Sequence, residues 1–229
     1  VTVVVPAGAT TGTVSVPTTQ DTIDELDETF TIHNGAVSAT GTIEDNDNAP
    51  TVTGITASSA TEGSPVVFDF TLSNPSAVDT SYTFTFINGT AGASDYTTTD
   101  VTVIVPAGAT TGTVSVPTTQ DTIDELDETF TIHNGAVSAT GTIEDNDNAP
   151  TVTGITASSA TEGSPVVFDF TLSNPSAVDT SYTFTFINGT AGASDYTTTD
   201  VTVIVPAGAT TGTVSVPTTQ DTIDELDET

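Results

Sequence analysis

The chain has 229 residues, of which 31 are Asp or Glu and none is Lys or Arg, so its formal net charge at pH 7 is −31. Binding to nucleic acid depends on Lys or Arg contacts to phosphate, and docking to an anionic membrane depends on the same side chains, so both are excluded. No apolar stretch approaches the roughly 18 residues of a membrane-spanning helix, which excludes direct insertion into a membrane by this segment.

An internal repeat dominates the sequence. Residues 5–129 recur unchanged as residues 105–229, and Val4 differs from Ile104 and Ile204. A period of 100 residues matches one small domain and exceeds the roughly 20–50 residues of a solenoid unit. We predict a complete repeat at 49–148, the C-terminal part of a repeat at 1–48, and an N-terminal part at 149–229 that lacks its last two strands.

Short stretches of alternating apolar and polar residues follow one another along the complete repeat. They predict strands at 51–57, 66–72, 82–86, 101–105, 113–116, 130–133 and 137–143. The dipeptide Asn134-Gly135 separates the last two and is typical of a hairpin turn. Seven short strands in about 100 residues predict an all-β fold, with tandem immunoglobulin-like Greek-key β-sandwiches.

The aromatic residues of these stretches are predicted to form the core. Because side chains alternate between the two faces of a strand, residues of one parity point the same way. That parity assigns to the core Phe68, Phe70, Phe84, Phe86 and Phe130. Tyr82 and Tyr96 are expected in the core or at its edge. The Thr-rich opposite parity suits the solvent face of a sheet, where β-branched residues fit the pleat.

Acidic residues gather at the ends of the predicted strands. They comprise Glu62, Asp95, the run 121–128 and the linker 144–148, and the run holds five carboxylates in eight residues. The loops of a sandwich gather at its two ends, which would bring these groups together. Folding would then oppose their mutual repulsion unless a cation were bound.

Calcium is the cation that these side chains favour. It takes six to eight oxygen ligands from carboxylates, amides, carbonyls and water. Zinc or copper would require more His or Cys than one His and no Cys per repeat, and magnesium demands a stricter octahedron. The alternative interpretation is that the acidic residues form a solvated surface that maintains solubility.

Five stretches resemble a known family in sequence and in order. Residues 61–63, 94–96, 103–109, 121–130 and 141–147 are similar to motifs of Calx-beta domains and of the related extender domains in large repeats-in-toxin bacterial adhesins. The resemblance implies a Calx-beta-like sandwich and calcium held at the acids of four of these motifs. The positions concerned are Glu62, Asp95, Asp121, Glu125, Glu128, Asp145 and Asp147. Gln120 stands where such domains often carry an acid.

A second resemblance concerns the junction between repeats. Residues 145–150 are similar to the calcium-binding linker between cadherin domains, which implies calcium at the junction and a contribution from the next repeat, such as Glu162. The predicted ligand set is completed by Asp124 in the acidic run and by the second-copy residues Glu162, Asp195, Asp221 and Glu225. The expected partners are therefore calcium ions and neighbouring repeats of the same chain.

The resemblance also implies a biological role. The repeats would be extracellular spacers of a giant bacterial surface protein exported by type I secretion, projecting a distal binding domain for attachment and biofilm formation. The absence of Cys, Met and Trp fits an oxygenated exterior. The alternative is that the repeats themselves bind carbohydrate or the same repeats on another cell.

Two further expectations complete the interpretation. An enzyme is not expected, because one His per repeat and no nucleophile–base arrangement leave no catalytic constellation. Strands in 30–48 of one chain could complete the open sandwich 149–229 of another, since unpaired sheet edges recruit strands.

Overall fold

The computed structural model describes residues 1–222 and residue 227, and over that part of the chain every regular element is a β-strand. An isolated hairpin comes first, made of β1 (Glu28–Asn34) and β2 (Val37–Ile43). The central repeat contains β3 (Val52–Ile55), β4 (Ser58–Thr61), β5 (Val66–Leu72), β6 (Thr80–Asn88), β7 (Val101–Val105), β8 (Thr111–Val116), β9 (Glu128–Asn134) and β10 (Val137–Glu144). The second copy contains β11 (Val152–Ile155), β12 (Val166–Leu172), β13 (Thr180–Phe184), β14 (Val201–Val205) and β15 (Thr211–Val216). Among the described residues no helix has the length and apolarity needed to cross a membrane.

The central repeat is a sandwich of two sheets. One sheet has the order β3-β5-β8 and is antiparallel, and the other has the order β4-β10-β9-β6-β7. The chain crosses from one sheet to the other at every connection except β6–β7 and β9–β10, which are hairpins within the second sheet. The predicted all-β sandwich is therefore confirmed, including the β9–β10 hairpin, in which Gly135 has a φ of 58°.

The core lies between the two sheets and is built from the predicted parity. Buried and exposed residues alternate strictly along β5, where Phe68 is fully buried. Phe130 on β9 reaches across the core to Phe68, with ring centroids 5.9 Å apart, and stacks on Tyr96 at 4.2 Å. Such aromatic contacts add to the free energy of burying apolar area. The β9–β10 hairpin is thus an integral part of the core.

One strand departs from the prediction. One strand was predicted over 51–57, but the observed strand β3 ends at Ile55. A separate strand, β4, begins at Ser58. β4 is an edge strand that pairs parallel to β10, and the backbone amide of Glu62 extends this pairing by donating to the carbonyl of Glu144 at 3.0 Å. This pairing carries Glu62 to the end of the sandwich where the other acids lie.

Candidate metal centre

Acidic side chains from four segments meet at one end of the central sandwich. These segments are the end of β4, the loop between β6 and β7, the run 121–128 between β8 and β9, and the residues after β10. Their carboxylate oxygens form three groups, in each of which the oxygens lie within 4.8 Å of one another. The groups are Glu62–Asp121–Glu125, Glu62–Asp145–Asp147 and Asp95–Glu125–Glu128. All seven positions implied by the family resemblance therefore fall in one connected network, joined by Glu62 and Glu125.

Glu62 is the most deeply placed acid of the network, with 7% of its surface exposed. Its Oε1 accepts a hydrogen bond of 2.6 Å from Nε2 of Gln120. Gly63 follows with a φ of +76°, and a Cβ at that position would approach Oε1 of Gln120 to 2.9 Å. Glycine at 63 therefore permits both the left-handed turn and the close approach of Gln120.

An amide pair that the sequence did not indicate braces this acid. Nδ2 of Asn146 donates to Oε1 of Gln120 at 3.0 Å, and Nε2 of Gln120 lies 3.2 Å from Oδ1 of Asn146. The pair joins the loop after β8 to the linker after β10. Gln120 was visible in the sequence only as a departure from the family pattern, and no local signal pairs it with Asn146, which is 26 residues away.

The loop carboxylates also shape the backbone around them. Oδ1 of Asp121 accepts from the amide of Ile123 at 2.7 Å, and Oδ2 of Asp95 accepts from the amide of Gly92 at 2.7 Å. Oδ1 of Asp127 accepts from the amide of Asp145 at 3.2 Å, which ties the acidic run to the linker. These short-range contacts hold the carboxylates in defined positions.

The pKa values of three carboxylates in the network are raised, first by burial and then by their acidic neighbours. Burial is the main cause that raises the pKa of Glu62 to about 7, followed by a hydrogen bond to Asp147 and by the charges of neighbouring acids. Burial raises the pKa of Glu128 to about 7 as well, aided by the charge of Asp95 and a hydrogen bond to it. The pKa of Glu125 is raised, first by burial and then by the charge of Asp121. A bound cation would reverse these shifts because it favours the ionised forms.

One buried oxygen of the network has no partner. Among the described residues, Oδ2 of Asp147 is the buried side-chain polar atom that accepts no hydrogen bond. A proton on the neighbouring Glu62 carboxyl would give this oxygen a hydrogen bond. A bound cation would instead take the oxygen as a ligand. Because an unsatisfied buried polar atom is costly, this oxygen requires either the proton of Glu62 or a bound cation.

The structure separates some of the other predicted ligands from this network. Asp124 lies outside the three groups, and its Oδ2 accepts from Oγ of Ser176 at 2.8 Å. In the second copy, Glu162 is exposed and accepts from Nε2 of Gln220 at 3.0 Å and from the backbone amide of Asp221. Asp195 accepts from the amide of Gly192 at 2.7 Å. Glu162 thus contacts its own repeat, whereas the linker acids cluster with Glu62, and Glu225 lies outside the described residues.

The chemistry of the network suits a hard divalent cation. Its groups contain carboxylates only, with no His or Cys among their members, and side-chain amide oxygens lie beside them. Oxygen donors of this kind are the ligands of calcium, whereas zinc and copper favour nitrogen and sulfur. The partnerless oxygen of Asp147 and the raised pKa values of Glu62 and Glu128 fit the same cation.

Comparison with known proteins matches one family along the whole chain. The Calx-beta domain matches residues 1–59, 46–161 and 147–229. Among solved structures, CBD12 from CALX1.2 is similar with a TM-score of 0.36 and 16% sequence identity, over 71% of this chain and 73% of that one. The calcium binding domain CBD12 of CALX1.1 is similar with a TM-score of 0.36 and 17% identity, over 72% of this chain and 74% of that one. No curated protein sequence matches the chain.

Proposed function

The chain belongs to the Calx-beta family, and from this premise we propose that its repeats bind calcium at the acidic network and serve as calcium-stiffened spacers of a bacterial cell-surface adhesin. The observation that supports calcium binding best is the deeply placed Glu62 beside the partnerless oxygen of Asp147. Both belong to a set of carboxylates drawn from four segments, in a chain without Lys or Arg to neutralise them.

Each part of the network has a role in this proposal. One ligand group would consist of Glu62, Asp121 and Glu125. A second would consist of Asp95, Glu128 and the same Glu125. Asp145 and Asp147 follow the last strand of the repeat, so an ion that they share with Glu62 would fix the outgoing linker to the sandwich. Calcium would supply the positive charge that the crowded carboxylates require, and the chain supplies the oxygens and their placement.

The spacer role follows from the repetition. The proposed unit is residues 49–148, preceded and followed by parts of further copies, and tandem units of one sequence give a length that depends on copy number. Stiff junctions would hold such a row of units extended. The proposed setting is the outside of a bacterial cell after type I secretion, where calcium is abundant and a distal domain carries out attachment in a biofilm.

Burial of the aromatic residues favours a spacer over a ligand-binding module or an enzyme. In the complete repeat 49–148 all Phe and Tyr side chains are buried or partly buried, including Tyr96 at 2% exposure, so none forms an exposed platform for a carbohydrate. The proposed repeats therefore act mechanically and are not catalytic. Beads coated with the 229-residue chain should not capture bacterial cells or glycans. Calcium-dependent capture would instead favour the repeats as the adhesive element.

The calcium proposal is tested by melting the full chain with calcium, with magnesium and with a chelator, alongside X-ray scattering. A ligand that binds only the folded state raises the melting temperature by mass action. We expect a rise with calcium that an equal concentration of magnesium does not reproduce, together with a longer and stiffer particle. Identical melts and scattering profiles in calcium and in chelator would mean that the acids form a solvated surface.

We also propose that the second copy pairs with another copy of this chain. A groove of about 960 Å³ is lined by, among others, Val166, Phe168, Phe186 and Tyr196. In the central repeat the equivalent space is occupied by Phe130 of the β9–β10 hairpin, whose sequence β1–β2 shares. The proposed occupant is the β1–β2 hairpin of a second molecule.

Light scattering at increasing concentration tests this pairing between copies. We expect a rise in mass that Phe30→Asp abolishes, because an acidic side chain would replace the Phe30 ring against the apolar side chains of Val166 and Phe168 and near the acids Glu162 and Asp195 of the same groove. A mass that stays monomeric at every concentration would exclude it.

A further inference from the structure

Asp124 makes a set of contacts that crosses from one repeat to the next. Its backbone amide donates to the carbonyl of Pro175 at 3.1 Å, and its carbonyl accepts from the amide of Ala177 at 2.8 Å. Its side-chain Oδ2 accepts from Oγ of Ser176 at 2.8 Å, and Ser176 is only 3% exposed. We call these four residues the clasp.

The same arrangement occurs at the preceding junction. Asp24 donates to the carbonyl of Pro75 at 3.1 Å, accepts from the amide of Ala77 at 2.8 Å, and accepts from Oγ of Ser76 at 2.8 Å. The clasp contacts are therefore the same at both junctions.

The receiving loop is anchored to its own repeat and to the linker. The carbonyl of Ser176 accepts from the amide of Gly208 at 2.8 Å, and Nδ2 of Asn174 donates to the carbonyl of Asn148 in the linker at 2.8 Å. Movement of Asp124 relative to Ser176 would therefore move the second sandwich relative to the first.

Asp124 also lies inside the acidic run of the candidate metal centre. Asp121 and Glu125 on either side belong to one carboxylate group, whereas the carboxylate of Asp124 points to the next repeat. An ion held by Asp121 and Glu125 would fix the backbone of the residue between them and so present it to Ser176. In its absence, the three hydrogen bonds alone compete with water.

We propose that Asp124 is a positioning residue that couples calcium binding in one repeat to the orientation of the next through Ser176, and that it is not itself a calcium ligand. The proposal rests on the calcium binding proposed above. The partner of the acidic run is the 173–177 loop of the following copy, and the identical contacts at 24 and 76 would give every junction the same geometry.

The test measures calcium affinity and junction order separately on the full chain. Because the chain has no Cys, spin labels can be attached at Thr113→Cys and Thr213→Cys, two exposed equivalent positions in successive repeats. The width of the distance distribution between them reports how well the junction is fixed, and calorimetry reports calcium affinity. The key variant is Ser176→Ala, which removes the donor to Asp124 and leaves every carboxylate in place.

We expect calcium to narrow the distance distribution of the labelled parent but not that of Ser176→Ala, while calcium affinity changes by less than threefold. Asp124→Ala should behave like Ser176→Ala in both measurements. The matched control is Ser173→Ala, which removes a hydroxyl of the same loop that accepts a hydrogen bond of 3.0 Å from Thr151 within one repeat. In this control, calcium should narrow the distance distribution between the labels as it does in the parent.

Three outcomes would overturn the proposal. If calcium binds normally by calorimetry and narrows the distance distribution equally in the parent and in Ser176→Ala, the clasp does not orient the junction. A loss of calcium affinity of tenfold or more in Asp124→Ala, without such a loss in Ser176→Ala, would show that Asp124 is a ligand. If calorimetry detects no heat of calcium binding to the parent, the proposed calcium function itself is refuted, and the coupling with it.

Discussion

Residues 49–129 and 149–229 have the same sequence, but the structure folds them to different extents. Residues 58–61 form β4 in the central repeat, whereas 158–161 form no strand. Glu62 is 7% exposed and its equivalent Glu162 is exposed, and fully buried Phe68 corresponds to partly buried Phe168. The central repeat also has the β9–β10 hairpin, which has no counterpart in the described part of the second copy.

The difference shows that the hairpin assembles the acidic network. β10 is the partner of β4 and is followed by Asp145 and Asp147, and β9 brings Phe130 into the core. Local sequence is identical in the two copies, so burial of Glu62 must come from these distant contacts. Experiments that make the central repeat resemble the second copy are therefore the most informative.

Phe130→Ala should have the largest effect. Phe130 is fully buried and contacts Phe68, Phe86 and Tyr96, so its truncation should cost about 3–5 kcal/mol of unfolding free energy in the central repeat. Chemical denaturation of the full chain measures this cost, and calcium affinity should fall with it. Phe30→Ala changes the same residue in the exposed β1–β2 hairpin and should cost far less. Equal costs at 30 and 130 would contradict the role given to the hairpin.

Ala60→Pro should be the next largest change. The amide of Glu62 donates to a carbonyl of β10. Alternate amides of an edge strand face its neighbour, so the amide of Ala60, two residues earlier, also points towards β10. Proline there removes a donor and leaves a β10 carbonyl unsatisfied, at a cost of about 1–3 kcal/mol.

Two proline controls sharpen this prediction. Ser59→Pro lies at the opposite parity, where the amide of an edge strand faces away from its neighbour, and should be tolerated better. Ala160→Pro falls where the second copy has no strand and should leave the melting curve unchanged. A loss at 160 as large as that at 60 would show that β4 is not specific to the repeat with the hairpin.

These contrasts also explain what the sequence could predict. Strands such as β5 and β7 were predicted from their alternation, because the core selects one parity directly. β4 could not be predicted in this way, because Ser58-Ser59-Ala60-Thr61 has no large apolar residue. This strand depends on pairing with β10, some eighty residues away. Seven of the acids were expected to share a site, whereas the docking of Asp124 on Ser176 depends on the geometry between repeats.

Glu62→Gln should weaken calcium binding at least about tenfold, which corresponds to about 1.4 kcal/mol. The change keeps the size of the side chain and removes one charge from a site whose affinity depends on the number of charged ligands. Calorimetry of the full chain measures the loss. Glu162→Gln is the matched control in the second copy, where the acid is exposed, and should change the affinity much less. A stronger effect at 162 would place the principal site at the junction with the next repeat.

The smallest expected effect is the pH dependence of the calcium-free chain. The pKa values of Glu62 and Glu128 are raised from 4.5 to about 7, so between these pH values the folded chain holds protons that the unfolded chain has released. Stability that is present below pH 4.5 is therefore lost as the pH rises through 7, and the melting temperature in chelator should fall by a few degrees over that interval.

Calcium should reverse the direction of this pH dependence, because the ion binds the ionised carboxylates and its affinity rises as they lose their protons. Binding near pH 6 should therefore release protons, which calorimetry detects as a dependence of the heat on the ionisation enthalpy of the buffer, and the release should vanish near pH 8.5. Glu62→Gln removes one of the two titrating groups and should flatten the curve in chelator. Glu162→Gln, which makes the same substitution at the exposed equivalent position of the second copy, is the matched control, and its curve should follow that of the parent. A melting temperature in chelator that rises with pH would mean that the central acids do not titrate as a crowded, buried group, and the contrast between the two copies would then have no electrostatic consequence.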